Sequence, residues 1–412
     1  IMSCTQCGLC APACPVGIDF KDLCIESRRF LHKSGFLPDA HYDYWLSDMH
    51  HANGPDAALQ LPTTETCKYV FFPGCQMGAS DPDYVKRSYR WLDETFPNEA
   101  ALLLSCCGAP ADWAGNKEAH KQVIDEINAV WHVWKKPAFI LPCPTCGEMF
   151  AKHLPQIQTI SLWEVLSAHY PPAGHSKETV SIFDPCSSKY DEKAQQSIRT
   201  LVDKAGYTIE ELPAAGKDAR CCGYGGLVYT TNAELTEIIA QNNRALGGKE
   251  YITYCTNCRD SFAIHNKPSR HILDVLFFSA QERDLRKPPN LGQRRQNRVI
   301  LKRHLQEEFL GFAPEEIKAD WEEITLIISD EMQQQLNRLL ILEETIQQIV
   351  FFAESTQNKV CHAHDGSYTA HLMQGMLTFW ARYKPNDDGT YALLNAYAHR
   401  MNIKENETHA ER

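Results

Sequence analysis

The sequence predicts an α/β protein with a short helical N-terminal segment, two consecutive parallel α/β repeats and a small α+β domain at the C-terminal end. Three observations lead to this prediction. A pattern of five cysteines occurs twice, beginning at Cys75 and again at Cys186. Within each copy, short apolar runs alternate with amphipathic stretches. A polar stretch with two adjacent prolines then separates the repeats from the rest of the chain.

Each copy of the repeat reads Cys, then Cys-Cys-Gly, then Cys-x-x-Cys. The first copy consists of Cys75, Cys106, Cys107, Cys143 and Cys146, and the second of Cys186, Cys221, Cys222, Cys255 and Cys258. The surrounding residues repeat as well, since "FFPGC" corresponds to "IFDPC" and "LPCPTCGEMFAKH" corresponds to "TYCTNCRDSFAIH". Similarity at a fixed interval indicates that one structural unit has been duplicated.

The first copy reads as strand, helix, strand, helix, strand. The apolar runs that predict strands are 68–73, 100–105 and 137–142, and the helical patterns are 82–96 and 116–134. Asn116 is expected to cap the second helix. Alternating strands and helices predict a parallel, Rossmann-like sheet in each repeat. The cysteines directly follow the strands, and the carboxyl ends of parallel strands converge at one edge, so we expect five thiols to meet in each repeat.

Thiols grouped in this way indicate a metal site. The chain has 17 cysteines, most of them grouped, and we expect it not to be exported, which favours metal binding or catalysis over disulfides. Thiolates are the ligands of iron-sulfur clusters and of structural zinc. Zinc takes four ligands, so five cysteines leave one in excess, and adjacent cysteines suit an extended cluster better than a single ion. Zinc, or inert buried thiols, is the alternative.

The ten cysteines resemble the duplicated CCG cysteine-rich domain of the heterodisulfide reductase B subunit. Related subunits occur in anaerobic glycerol-3-phosphate dehydrogenase and in lactate-utilisation oxidoreductases. The resemblance covers about residues 66–280. It implies that each repeat holds a noncubane 4Fe-4S cluster and that the two clusters together reduce a small-molecule disulfide.

The N-terminal segment contains "CTQCGLCAPACP", with Cys4, Cys7, Cys10 and Cys14 at the spacing of bacterial ferredoxins. It resembles the second motif of the heterodisulfide reductase C subunit, a helical ferredoxin, and this implies a 4Fe-4S cubane cluster. In two-cluster ferredoxins the fourth cysteine serves the other cluster. We therefore expect Cys14 to reach toward a second cubane, whose own motif lies upstream or on another chain, and the first cubane to need a fourth ligand from outside residues 1–20.

Two further cysteines and two histidines are less specific candidates for a functional role. Cys24 and Cys67 are interpreted as buried small apolar side chains, with a ligand role as the alternative. His153 and His265 each lie seven residues after a CxxC cysteine, on the same helix face. They are candidate catalytic residues that would give protons to departing thiolates. The alternative is that both only pack their helices.

The predicted domains follow from these patterns. They are 1–65, a ferredoxin-like segment that forms half of a two-cluster unit; 66–172 and 173–280, the two CCG repeats; 281–298, a linker; and 299–412, an α+β docking domain. In the last domain we expect a helix at 331–355 and a hairpin around Asp388-Gly389. A metal site formed by Cys361 with nearby histidines is the less favoured interpretation of that region.

Net charge and hydropathy argue against two classes of function, nucleic-acid binding and membrane spanning. The formal net charge of −11 argues against a nucleic-acid partner, and no apolar stretch is long enough to span a bilayer. We expect a cytoplasmic protein, peripheral at most to a membrane complex. The favoured function is an anaerobic disulfide reductase subunit that carries electrons from the N-terminal cubane to the two noncubane clusters. Its partner in a hetero-oligomeric complex would be a flavin-containing or other iron-sulfur donor subunit. The alternatives are an electron-transfer subunit of a flavin dehydrogenase that passes electrons to a quinone, and a zinc-stabilised interaction protein.

Overall fold

The computed structural model describes residues 1–37, 42–62, 67–171, 176–279, 282, 288–312, 319–375 and 377–399. They form two compact units. The first comprises Ile1–Pro289 and Gln293–Ala313, and the second Asn290–Gly292 and Pro314–Arg412. The predicted α/β class, with parallel sheets, is confirmed. The predicted boundaries near residues 65, 172 and 280 fall outside the described residues.

The N-terminal segment is helical, as predicted. Its helices are α1 (Cys10–Ala13), α2 (Phe20–Lys33) and α3 (Asp43–Asn53). The carboxylate of Asp19 caps α2 by accepting a hydrogen bond from the backbone N–H of Lys21 at 2.8 Å. The start of α2 is therefore fixed six residues after Cys14, the last cysteine of the ferredoxin-like motif.

The first repeat is a parallel sheet with one added antiparallel strand. Its elements are β1 (Leu59–Leu61), β2 (Tyr69–Phe71), α4 (Gly74–Ser80), α5 (Pro82–Thr95), β3 (Ala100–Leu104), α6 (Ala109–Ala114), α7 (Lys117–Val133), β4 (Ala138–Leu141), α8 (Pro144–His153), β5 (Thr159–Ser161) and α9 (Leu162–His169). The strand order is β1-β3-β2-β4-β5, with β1 antiparallel to β3. The three predicted strands and two predicted helices are present, and Asn116 caps α7 by accepting from Ala119 N.

The second repeat has the same topology. Its elements are β6 (Thr179–Ile182), a 3₁₀ turn (Cys186–Ser188), α10 (Glu192–Lys204), β7 (Thr208–Ile209), a 3₁₀ turn (Gly225–Thr230), α11 (Ala233–Arg244), β8 (Glu250–Thr253), α12 (Thr256–Ile264), β9 (Ser269–His271) and α13 (Ile272–Phe277). The parallel order β7-β6-β8-β9 reproduces β3-β2-β4-β5 of the first repeat. Residues of both sheets contribute to one hydrophobic core, in which Trp163 and Tyr254 meet edge to face.

The predicted linker at 281–298 is corrected by the structure. Residues 291–298 begin a long helix, α14 (Leu291–Leu310), whereas 281 and 283–287 lie outside the described residues. Arg294, Arg298, Leu301 and Leu305 are buried and lie three or four residues apart, so they form one face of the helix. A basic stretch with two prolines predicts a linker, but Arg294 is paired with the buried Asp260 of the second repeat and Arg298 with the buried Asp48 of α3.

The C-terminal unit is α+β, as predicted. Its elements are β10 (Leu326–Ile327), α15 (Asp330–Leu339), α16 (Glu343–Thr356), β11 (Val360–His362), β12 (Ser367–Gln374), β13 (Leu377–Pro385) and β14 (Tyr391–His399), in the sheet order β10-β14-β13-β12-β11. The hairpin around Asp388-Gly389 is confirmed. The single helix predicted at 331–355 is two helices, because Leu340 adopts a left-handed conformation with φ 56°. Within the described parts of the chain, no helix is both long and apolar enough to cross a membrane.

Candidate metal centres

The ten cysteines of the repeats lie just beyond the strands. Cys75 is in the first turn of α4, and Cys106-Cys107 connects β3 to α6. Cys143 is the residue before α8, and Cys146 is in its first turn. In the second repeat the corresponding positions are the 3₁₀ turn at Cys186, the Cys221-Cys222 loop, and Cys255 and Cys258 at the start of α12. The predicted convergence of loop thiols is present in both repeats.

The five thiols of the first repeat form a continuous chain. Cys75 is hydrogen-bonded to Cys106, Cys106 to Cys107, Cys107 to Cys146, and Cys146 to Cys143. Hydrogen bonds from Cys106 and then Cys146 lower the pKa of Cys107 to about 6 although the thiol is buried. Donation to Cys107 raises the pKa of Cys106 and of Cys146 well above the ordinary value. Thiolate character is therefore concentrated on the second cysteine of the pair.

The second repeat has the same chain in the same order. Cys186 is hydrogen-bonded to Cys221, Cys221 to Cys222, Cys222 to Cys258, and Cys258 to Cys255. Here the pKa of Cys221 is lowered well below its ordinary value, because Cys186 and Cys222 donate to it. The two repeats thus share the same order of thiol contacts, and they differ in which member of the adjacent pair accepts the hydrogen bonds.

Iron-sulfur clusters fit this donor set. The cysteines are free thiols, and seven of the ten are buried: Cys106, Cys107, Cys146, Cys221, Cys222, Cys255 and Cys258. At Gly74, whose φ is +72°, a Cβ would come within 2.8 Å of Cys146 Sγ, so only glycine leaves the space beside the sulfurs open. Five linked thiols exceed the four ligands of a zinc ion.

The two sites approach one another across the contact between the repeats. The loop at Cys143 lies against the turn at Cys186, where Thr145 Oγ1 and Ser187 Oγ are 3.2 Å apart. A cavity of about 450 Å³ opens at this contact and is lined by Cys7, Cys143 and Cys186. Thiols of the N-terminal segment, the first repeat and the second repeat therefore share one cavity.

Two lysines line this cavity, together with the carboxylates of Asp19, Glu148 and Asp191. Lys21 forms an ion pair with Glu148, and burial lowers the pKa of Lys21, while its proximity to Cys186 acts in the opposite direction. Lys189 is buried and its Nζ donates to the carbonyl of Cys7 at 2.7 Å. The wall between them is largely apolar, with Leu141, Pro142 and Trp163 among its residues.

The N-terminal thiols do not form one group of four. Cys4 is hydrogen-bonded to the buried Cys24, and burial raises the pKa of Cys4. Burial, and then the charges of Cys7 and Cys4, raise the pKa of Cys10. The sulfur of Cys14 instead accepts the backbone N–H of Ile18 at 3.3 Å, and such bonds lower its pKa. The interpretation of Cys24 as a mere apolar residue missed this contact, because the sequence does not show that α2 turns Cys24 toward Cys4.

Glycines after the second Cys-Cys-Gly bring the N-terminal segment close to the second repeat. A Cβ at Gly225 would lie 2.3 Å from the carbonyl oxygen of Thr5, and one at Gly226 would lie 2.2 Å from that of Cys4. No sequence motif indicates the role of this Gly225-Gly226 pair. Its role in the structure is to let two backbones touch.

A buried ion pair lies behind the first repeat's site. Arg298 Nε donates to the carbonyl of Cys75 at 2.8 Å, and its two Nη atoms bind the carboxylate of Asp48 at 2.7 and 2.8 Å. Burial alone would raise the pKa of Asp48, but Arg298 and then Arg295 lower it to about 2. Helix α14 therefore supplies a charged support for Cys75 that the linker interpretation missed.

The candidate catalytic histidines do not line the shared cavity. His153 lies beside Asp112 and His120, and its Nε2 is 3.9 Å from the Asp112 carboxylate. His265 is paired with the carboxylate of Glu237 at 2.8 Å, and its Nδ1 is 2.7 Å from the carbonyl oxygen of Ser261. On α8 the cavity is lined by Pro144, Gly147, Glu148 and Ala151, which do not lie on the helix face that His153 shares with Cys146.

The remaining candidate ligands make other contacts. Cys67 donates to the carbonyl of Tyr69. In the C-terminal unit Cys361 is exposed, His362 is hydrogen-bonded to Thr369 at 2.9 Å, and His371 stacks on Trp380. The less favoured metal site at Cys361 is therefore not assembled among the residues that the structure describes.

Comparisons with known proteins agree with this architecture. The profile of the CCG cysteine-rich domain matches residues 69–151 and 180–262. The chain thus carries two CCG cysteine-rich domains of the heterodisulfide reductase B type, as the resemblance predicted. The matched segments contain all ten cysteines of the two thiol chains.

Two curated relatives are similar over most of the chain. The first is an uncharacterized iron-sulfur protein of Methanocaldococcus jannaschii, 23% identical over 309 residues, covering 67% of this chain and 61% of the relative. The second is the B subunit of the fumarate reductase (CoM/CoB) of Methanothermobacter marburgensis, 24% identical over 278 residues, covering 62% of this chain and 55% of the relative. The chain therefore spans little more than half the length of these relatives.

Proposed function

We propose that the chain is a heterodisulfide reductase-like subunit that reduces a small-molecule disulfide at the cavity between its two CCG domains. The observation that carries the proposal is that Cys143 of one repeat and Cys186 of the other line the same cavity. The two sulfurs of a disulfide are only about 2 Å apart. Both repeats can act on one disulfide only where they reach the same space.

The cysteines divide into three ligand groups under this proposal. Each five-thiol chain would hold one noncubane 4Fe-4S cluster, and Cys4, Cys7 and Cys10 would hold a cubane cluster. When bound, these clusters supply one-electron transfer, so that two together provide the electron pair that a disulfide requires. The reaction consumes one disulfide, two electrons from the donor protein and two protons, and it releases two thiols.

Lys21 is the residue best placed to provide a proton at the cavity. Its ammonium group is paired with Glu148 and interacts electrostatically with Cys186, and burial lowers the pKa of Lys21, which makes proton release easier. Lys189 holds the backbone of Cys7 and so keeps the N-terminal segment against the cavity wall. Under this proposal Lys21, rather than His153 or His265, provides the proton.

An electron-donor subunit is part of the proposal. The N-terminal segment exposes large apolar side chains near Cys10 and Cys14, namely Val16, Ile18, Phe20, Leu23 and Phe30. Exposed apolar side chains in such number support a protein-protein contact at this end of the chain. We propose that a flavin-containing or iron-sulfur subunit docks there, which agrees with the name of one relative as a subunit of a reductase.

An electron relay is the second candidate. Cys7 lines the same cavity as Cys143 and Cys186, so the three thiol groups are also close enough together to pass electrons onward without substrate chemistry. In that case the acceptor would be a quinone or another carrier. The two candidates differ in whether a disulfide is consumed.

Thiol release distinguishes them. The anaerobic protein, with its clusters, is reduced with a viologen and mixed with a panel of aliphatic disulfides, and free thiol is counted against oxidised viologen. The proposal predicts two thiols per electron pair, and at least a tenfold lower rate in Lys21→Met. The matched control is Lys121→Met on α7, whose side chain is 74% exposed and which should react normally. Oxidation of the reduced protein by a quinone analogue, with no thiol from any disulfide, would establish the relay instead.

A further inference from the structure

A second group of metal-ligand type lies in the first repeat, outside the thiol chains. Asp112, His120 and His153 come from three different helices, α6, α7 and α8. One ligand atom of each lies within 4.8 Å of the others. Asp112 is 3% and His120 is 7% exposed, so two of the three are well inside the protein.

The two imidazoles converge without binding one another. Their rings meet edge to face with centroids 4.3 Å apart. Nε2 of His120 and Nε2 of His153 are both buried and have no hydrogen-bond partner among the described residues. A buried polar nitrogen that is left unpaired costs on the order of 1–3 kcal/mol. Two such atoms, facing one carboxylate, indicate that a ligand belongs between them.

The duplication provides an internal comparison. Asn116 and Asn232 cap the corresponding helices α7 and α11, and the residue four positions later is His120 in one and Thr236 in the other. A Cβ at Gly108 would contact His120, and a Cβ at Gly223 would contact Thr236, which confirms the correspondence in space. The fold of the repeat therefore accommodates threonine where the first repeat has histidine.

The other two positions show the same asymmetry. Asp112 is the fifth residue after Cys107, and the fifth residue after Cys222 is Leu227. His153 does have a counterpart, His265, but that ring has two protein partners, Glu237 and Ser261. Of the two histidines, His153 is the one joined by a second imidazole and a carboxylate, and its Nε2 has no hydrogen-bond partner within the described part of the chain.

The basic side chains near Asp112 hold its carboxylate in place and do not occupy the space between the two imidazoles. Arg29 Nη2 binds Asp112 Oδ1 at 2.5 Å, and its Nη1 binds Glu26 at 2.5 Å. Lys152 is partly exposed and is paired with Asp22 at 3.5 Å. Carboxylates that ligate a metal commonly keep a hydrogen bond to such an outer partner, which holds them in orientation.

We propose that Asp112, His120 and His153 bind one zinc ion, separate from any iron held by the cysteines. Two imidazoles and a carboxylate suit zinc, and three protein ligands leave a fourth position for water. His153, 18% exposed, provides the route from solvent. Because the three ligands come from α6, α7 and α8, the ion would fix these helices around the Cys106-Cys107 loop.

Zinc analysis of the full chain with its clusters tests this proposal. The anaerobically purified protein is equilibrated with zinc, passed over a weak chelator, and measured for zinc and iron by mass spectrometry and for zinc coordination by X-ray absorption. We expect one zinc per chain with only nitrogen and oxygen neighbours. His120→Thr and Asp112→Leu, which copy the second repeat, should lose the zinc and keep the iron. The matched control His265→Gln should keep both.

Several results of this experiment would contradict the zinc site. Absence of bound zinc in the wild-type chain overturns the proposal, as does zinc that persists in both variants. Sulfur neighbours in the X-ray absorption spectrum would assign the zinc to the cysteines. Should either variant fold poorly by circular dichroism, His153→Gln gives a third measurement, and retention of zinc by all variants that fold counts against the site.

Discussion

The guanidinium group of Arg28 donates a hydrogen bond to the backbone carbonyl of Gly226 at 3.0 Å. The same Nη1 atom donates to the carbonyl of Trp113 at 2.8 Å, so a single side chain of α2 joins both repeats. Its Nη2 atom is bonded to the carbonyls of Ile1, Met2 and Cys4. Arg28 is fully buried. It therefore holds the N-terminal cysteines at the contact between the repeats, where Cys7 lines the cavity.

Replacing Arg28 with methionine should release the N-terminal segment. The substitution removes the guanidinium donor from five carbonyls, of which those of Ile1 and Met2 keep a second donor. Hydrogen bonds to a charged group contribute about 1.5–3 kcal/mol each, though not additively. We expect a loss of at least about 3 kcal/mol in the local opening free energy of residues 1–33, measured by hydrogen exchange. The exposed Arg303→Met is the control. Unchanged exchange in the Arg28 variant would contradict the role assigned here.

Alanine at Gly225 tests the close approach of the two backbones. The new Cβ would lie 2.3 Å from the carbonyl oxygen of Thr5 and 3.1 Å from Cys221 Sγ, so one backbone must move. We expect less iron and faster proteolysis of the N-terminal segment. Gly147→Ala is the matched control, because nothing lies within 4 Å of its Cβ and helix α8 should gain up to about 1 kcal/mol. Equal iron and equal proteolysis in the two variants would show that the approach is not tight.

Cys24 is predicted to contribute to the N-terminal metal site. It is buried and hydrogen-bonded to Cys4, whereas Cys14 bonds to the backbone of its own loop. We expect Cys24→Ala to lower the iron content more than Cys14→Ala does. Iron analysis and electron paramagnetic resonance of the reduced protein provide the measurement. The reverse order would restore the ferredoxin rule, in which Cys24 is only a packing residue.

Acid should destabilise the first unit partly through His271. The side chain caps α13 by accepting the N–H of Leu273 at 3.3 Å, and burial, followed by the charge of Arg259, lowers its pKa to about 3. The folded pKa lies below the unfolded value of about 6.5. The neutral ring therefore contributes fully above pH 6.5, and this contribution is lost as the pH falls toward 3.

The slope of stability against pH is the measurable consequence. His271 should contribute up to about 1.4 kcal/mol per pH unit across that window. His271→Asn keeps a capping acceptor without the titration, so its guanidinium unfolding midpoint should change less between pH 7 and pH 5. The exposed His50→Asn serves as control. Identical slopes for the two variants would exclude His271 as a source.

The features of the fold that follow from regular sequence patterns were predictable from the sequence. Strand β3 is a run of five buried apolar residues, and Asn116 is a standard N-cap, so both were recognisable locally. The convergence of the cysteines followed from parallel topology, because strand ends meet at one edge. The duplication then made the second repeat predictable from the first, including its four-strand order.

What the sequence could not show depends on partners that are distant along the chain. Arg294 and Arg298 looked like a solvated basic cluster until Asp260 and Asp48 were seen beside them, more than thirty positions away. The proton role of His153 was inferred from helix periodicity, which fixes a face but not what that face meets. The contact of Cys24 with Cys4 likewise arises from the packing of α2, which no local pattern encodes.

The most direct test of the account is the iron content of chains that lack one member of each thiol pair. Anaerobic protein carrying Cys107→Ala or Cys222→Ala is compared with wild type for iron and acid-labile sulfide, with the exposed Cys361→Ala as control. If each five-thiol chain holds its own cluster, each of the two variants should lose about four irons and keep its circular dichroism spectrum, while the control loses none. Full iron and sulfide in both Cys107→Ala and Cys222→Ala would contradict the assignment of the thiol chains as cluster ligands, and with it the proposed disulfide chemistry.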